Sequence, residues 1–151
     1  MRYMAIDLGG KRTGLAVGDD QTRFVSPVDT IEAAQGPLLL AGIRKAVEEH
    51  GPGALVVGLP INMDGTEGPS ARRVRGFAAE IARATALPVH FQDERLTSFA
   101  ADQAMARSGR THGQKKALRD ALAAAELLRD FLATQGGSGD DDLKDTEPPI
   151  D

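Results

Sequence analysis

Apolar and polar positions along the chain change period several times, and each change marks an element. Residues 3–7, YMAID, and 13–18, TGLAVG, are short apolar runs separated by Gly9 and Gly10, the pattern of two strands joined by a tight turn. A third strand is expected over 23–31, with Pro27 placing it at a sheet edge or breaking it. Residues 38–49 carry apolar positions at helical spacing and stop at His50-Gly51-Pro52. ALVVGLP at 54–60 reads as a short buried strand running into a Gly- and Asn-containing loop. A helix is expected from about Ala71 to Ala84 with Phe77, Ala78 and Ile81 on one side, then a strand over 87–95. Thr97 or Ser98 caps a further helix to about Arg107, and a last, long helix covers roughly 114–134.

Three leading strands joined by short turns imply a meander, and later strands each preceded by a helix imply parallel crossovers. The expected fold class is therefore α/β, a mixed five-stranded sheet flanked by helices. No internal repeat is present.

Composition changes this picture at the C-terminal end. The chain has 151 residues and a net charge of −4, but six of its 22 acids and one of its 18 bases lie from Gly136 onward. Residues 1–135 therefore hold 17 bases and 16 acids, near neutrality, which permits a local basic surface. The expected organisation is one folded domain over 1–135 and a disordered acidic Gly/Ser/Pro-rich tail over 136–151. With no cysteine, disulfides and thiolate metal sites are excluded, which fits the cytoplasm. The opening residues reach Asp7 too soon for a signal-peptide apolar segment, and no run approaches a membrane span, so no membrane partner is expected.

Three acids stand out by position. Asp7 ends the first strand. In PVHFQDE, alternation puts Asp93 on the Val89 and Phe91 side and Glu94 with His90 and Gln92, so the two acids serve opposite faces. Glu94 is on the more polar side, where a cleft is expected. On the last helix, Leu118, Ala121, Leu122, Ala125, Leu128 and Leu132 form a core stripe, whereas Asp120 lines up with Ala124, Leu127 and Phe131. An acid on an otherwise small or apolar row is unusual for a solvated face.

If Asp7, Glu94 and Asp120 converge, their repulsion needs a cation, and oxygen-only ligands favour Mg²⁺ or Mn²⁺. Two such ions about 4 Å apart would activate water and stabilise a leaving oxygen in phosphodiester hydrolysis. Lys11, Arg12, the cluster Arg72, Arg73 and Arg75, and Arg95 could supply cations for a polyanion, as could the basic run over 107–119. Duller roles compete: Asp7 as a turn residue, Glu94 paired with Arg95, Asp120 paired with Lys116. Asp19 and Asp20 read as turn residues. The three histidines lack ligand spacing, and GKRTGL lacks the P-loop pattern.

Four segments, AIDLGGKRTGLAVGD, VVGLPINMDGTEG, FQDERLTSFAAD and RDALAAAELL, resemble in order the YqgF family of pre-16S ribosomal RNA nucleases, relatives of the RuvC-type Holliday junction resolvases. The resemblance runs from about residue 2 to 133. It implies a ribonuclease H-like fold and a catalytic, metal-binding set of Asp7, Glu94 and Asp120, with Lys11, Arg12, Asn62 and Arg95 as substrate-binding candidates. It also implies a metal-dependent endonuclease that processes the 5′ end of pre-16S ribosomal RNA, with structured RNA as partner. Branched DNA is the alternative partner, for which a homodimer would be expected. Where relatives often carry a Glu after ERLTS, this chain has FAAD, which touches helix capping rather than chemistry. A nucleotide-binding protein of the actin and sugar-kinase type would need a second half that the chain lacks. A nonenzymatic RNA-binding factor would be expected to have lost one of the acids.

Overall fold

The computed structural model describes residues 1–94 and 118–135. Strands β1 (Arg2–Leu8), β2 (Thr13–Asp19) and β3 (Val25–Ile31) form the expected meander. They are followed by helix α1 (Pro37–His50), strand β4 (Ala54–Leu59), helix α2 (Pro69–Thr85) and strand β5 (Val89–Asp93). Residues 118–135 form a further helix, α3. The expected helix from Thr97 or Ser98 to Arg107, the start of the last helix at 114 and the tail lie outside the described residues.

The sheet order is β3-β2-β1-β4-β5, with β1 central, antiparallel to β2 and parallel to β4, and β4 parallel to β5. The α/β mixed sheet is as the periodicity predicts. Pro27 is tolerated because β3 is the edge strand, and the ladder slips there: Leu15 faces Asp29 while Ala16 faces Pro27, leaving Val28 as the extra residue. Both α1 and α2 begin on a proline, Pro37 and Pro69, whose missing N–H costs nothing in the first turn. Helix α2 thus starts two residues before the expected Ala71.

The two faces of the sheet differ in kind. One packs Met4, Ile6, Leu15, Leu55, Val57 and Leu59 under α1 and α2, which answer with Leu39, Ile43, Val74, Phe77 and Ile81. The other offers Ala5, Ala16, Ala54 and Val56 to α3, whose Ala124, Leu127, Leu128 and Phe131 are buried against them. Small residues on the strands let the backbone of α3 come close. A Cβ on Gly14 would overlap the backbone carbonyl of Asp120, and one on Gly18 would meet Leu128 at 3.0 Å. The core face of α3 is wider than the expected stripe: Ala121, Ala125, Leu128 and Leu132 are buried as expected, Leu118 and Leu122 only partly, and Ala124, Leu127 and Phe131 on the Asp120 row are buried with them.

Candidate active site

The carboxyl ends of the parallel strands gather the acids. Asp7 is the last but one residue of β1, and Glu94 directly follows β5. Alternation from Tyr3 and Ala5 points Asp7 to the α3 face. Alternation along β5 sends His90, Gln92 and Glu94 the same way. That face is covered by helix rather than polar and open: His90 is buried, in tilted ring contact with Tyr3 and Phe131. The alternation selects Glu94 over Asp93, but for a different reason than a polar cleft. Gly58, one strand over, leaves room for Glu94: a Cβ there would lie 2.5 Å from its Oε2.

Asp120 reaches the same end through the small-residue face. Its backbone lies over Gly14, and Gly14 is the cross-strand partner of Asp7. One glycine therefore sets how near the two acids come. The signal was in the sequence, as alternating small residues in TGLAVG and ALVVGL, but the pattern alone says only that something approaches.

The electrostatics follow from this crowding. Asp7 and Glu94 share a side-chain hydrogen bond. Burial, the neighbouring Asp7 charge and that hydrogen bond push Glu94 up to about 8, so at neutral pH Glu94 holds the proton and donates it to Asp7. Asp7 is itself raised, first by burial and then by the charge of Asp120, against the hydrogen bond from Glu94 and the charge of Arg119. Asp120 accepts a hydrogen bond from Arg12 Nε at 2.6 Å. That pair spans the β1–β2 turn and α3, and Gly9 N donates to the Arg12 carbonyl at 2.9 Å to close the turn.

The other predicted residues are placed as follows. Lys11 is exposed at the tip of the β1–β2 turn. Arg12 is engaged with Asp120, a partner not expected for it from the sequence, and the Lys116 considered for Asp120 lies outside the described residues. Asn62 stays within its own loop, donating from Nδ2 to Thr66 Oγ1 at 3.0 Å, beside a bridge between Ile61 and Glu67. Arg75 is held by Glu67 through two hydrogen bonds of 2.8 Å and stacks over Phe91. Arg95 and the basic residues 107–116 lie outside the described residues. Asp19 is a turn residue, accepting from Gln21 N at 2.7 Å, and Asp20 accepts from the N-terminal amine at 2.8 Å.

The donor chemistry suits a hard cation: the oxygens come from Asp7, Glu94 and Asp120, with no thiolate available and the buried His90 turned to an aromatic cluster. Among the described residues no three acids or histidines stand ready-made around an ion. A shared proton joins Asp7 to Glu94, and a guanidinium holds Asp120. Those are the positive partners a divalent cation would replace or rearrange.

Comparison with known proteins bears on the family and the fold. The model of the RuvX family, described as Holliday junction resolvase, matches residues 1–134. A protein of Anaeromyxobacter sp. (strain Fw109-5) named "Putative pre-16S rRNA nuclease" is 43% identical over 132 residues, 87% of this chain and 96% of that protein. A protein of the same name from Chloroflexus aurantiacus (strain ATCC 29366 / DSM 635 / J-10-fl) is 40% identical, over 85% of this chain and 84% of that one. Among solved structures, Thermus thermophilus RuvC in complex with a Holliday junction substrate superposes with a TM-score of 0.56 at 18% identity, covering 91% of this chain and 97% of that one. The Fowlpox virus resolvase bound to Holliday junction DNA gives 0.57 at 10% identity, covering 89% and 98%. These two show a shared fold, the ribonuclease H-like α/β sheet of RuvC. With a family match over residues 1–134 and relatives 40% and 43% identical, this chain belongs to the RuvX (YqgF) family.

Proposed function

We infer that the protein is a metal-dependent endonuclease that hydrolyses phosphodiester bonds of precursor 16S ribosomal RNA in the cytoplasm. The observation that carries this reading is the meeting of Asp7, Glu94 and Asp120 at the carboxyl ends of β1 and β5, crowded enough that Glu94 retains a proton up to about pH 8. Two curated relatives bear the name of such a nuclease, one of them over 96% of its length.

Asp7, Glu94 and Asp120 would hold Mg²⁺ or Mn²⁺, which supplies a nucleophilic water and stabilises charge on the leaving oxygen. The chain's own residues do the rest. Asp7 is fixed by its place in the central strand and Asp120 by the contact of α3 on Gly14. Arg12 orients the Asp120 carboxylate through its 2.6 Å hydrogen bond. Lys11, exposed on the same turn, is available to a phosphate. Asn62 and Arg95 complete the proposed substrate contacts.

The test is Asp7→Asn, checked for folding by thermal unfolding and assayed with Mg²⁺ or Mn²⁺ on a structured precursor RNA. Removal of a metal ligand is expected to cost more than about 100-fold, since even groups behind the ligands cost up to that much. Full cleavage by a folded variant refutes the assignment. Resolution of four-way DNA junctions is the second reading, favoured by the description of the family, and it requires a homodimer that cuts two strands in concert. Preferential cutting of a junction over the precursor RNA, together with a dimeric mass in solution, would select it.

A further inference from the structure

Next to the acids lies an open cleft of about 380 Å³ that shares Glu94 with them. Leu8 and Pro60 supply apolar wall, Gln35, Ser70 and Arg73 the polar rim, and Gly10 the edge. A strand cut at Asp7 and Glu94 comes within reach of this mouth, because Glu94 borders both. The volume is in the range of small-molecule sites, and it suits one nucleotide rather than a duplex.

Arg73 differs from its neighbours. Arg12 and Arg75 are each spent on a carboxylate. Arg73 is exposed and, among the described residues, bonds only Ser70, from Nη2 to Oγ at 3.1 Å. Its remaining donors are therefore available for phosphate oxygens, with the Ser70 hydroxyl beside them. Gly10 adds an independent feature. A Cβ there would meet nothing within 4 Å, and its φ is not in the left-handed region, so neither packing nor backbone demands a glycine. What a side chain at Gly10 would do is narrow the cleft.

We propose that this cleft is a subsite for one unpaired nucleotide of the cut strand, flanking the scissile phosphate. Arg73 and Ser70 take its phosphate, Leu8 and Pro60 face its sugar and base, and the Gln35 amide offers a donor and an acceptor to the base edge. The inference rests on the nuclease reading and narrows its substrate to nucleic acid with an unpaired nucleotide beside the cut.

The experiment measures binding of the full chain to two fluorescein-labelled RNA hairpins, one blunt and one with a single-stranded 5′ extension. Anisotropy titrations run in chelator over about 50 to 200 mM KCl. The wild type is expected to prefer the extended hairpin. Arg73→Ala should abolish that preference and reduce the slope of log affinity against log salt by about 0.7, the loss of one phosphate contact to a single strand. Gly10→Leu should also abolish the preference while unfolding at the wild-type temperature. Arg83→Ala, at the far end of α2, should change neither. If both cleft variants keep the preference and the slope of a wild type that binds and cleaves, the subsite is refuted and the nuclease reading stands. If the wild type neither binds nor cleaves RNA or junction DNA, both fall.

Discussion

The two faces of the sheet do different work with different residues. Under α1 and α2, β1 and β4 present Met4, Ile6, Leu55, Val57 and Leu59, side chains large enough to fill the space between layers. Under α3, the same two strands and β2 present Ala5, Gly14, Ala16, Gly18, Ala54 and Gly58. The first face buries apolar volume, which is where folding free energy comes from. The second gives up some of that volume so that a helix backbone can approach closely enough to bring Asp120 to Asp7. Stability and site geometry are thus largely divided between opposite sides of one sheet.

The sharpest way to break this division is to cut into each face in turn. Leu55→Ala on the aliphatic face, remote from the acids, should cost about 2–5 kcal/mol through lost transfer energy and a cavity. Urea unfolding reads the loss, and cleavage per folded molecule should stay at the wild-type level. Gly14→Ala on the other face should have the opposite profile. Relieving the overlap with the Asp120 carbonyl costs about 1–3 kcal/mol. The displaced carboxylate should lower the cleavage rate by about 100-fold, the penalty of misplacing a catalytic group by about an ångström. Equal activity losses in the two variants would show that the faces are not divided.

A third prediction concerns pH. Glu94 is raised from 4.5 to about 8 and Asp7 is raised as well, so the folded protein holds protons that the unfolded chain releases. Where the native state binds more protons, stability falls as pH rises. In chelator, the urea midpoint should therefore decline between about pH 5 and pH 8, and Glu94→Gln should flatten the decline. A slope unchanged by that substitution would remove the shared proton from the account. The smallest effect belongs to Thr13, whose buried hydroxyl has no hydrogen-bond partner among the described residues. Thr13→Val replaces it with a methyl of similar shape, and thermal unfolding should shift upward or not at all, by no more than about 1 kcal/mol.

Much of this was legible along the chain because it depends on local period. Alternation in PVHFQDE separates Glu94 from Asp93 whatever covers the strand. The alternating runs and the prolines likewise mark the strands, the edge position of β3 and the two crossover helices. The resemblance to a nuclease family rested on motifs spread over nearly the same residues that the family model matches. What failed was anything requiring the rotation of one element on another. The stripe through Leu118 and Leu122 looked like the core face of α3 because leucines are large. In the structure Ala121, Ala125, Leu128 and Leu132 of that stripe are buried, but Leu118 and Leu122 are only partly so, and Ala124, Leu127 and Phe131 behind Asp120 are buried as well, since Gly14 receives the α3 backbone rather than a side chain.

The sequence by itself determined which residues could carry chemistry: an acid at a strand end, an acid on the His90 and Gln92 side of the last strand, and an acid on a small or apolar helical row. Those placements follow from periods of 2 and 3.6 that each segment carries alone. Only the tertiary structure decided that Glu94 shares its proton with Asp7, that Arg12 is committed to Asp120, and that Arg73 is left facing a cleft. These depend on distances between segments up to about a hundred residues apart, which close packing of α3 on glycine sets and no local pattern encodes.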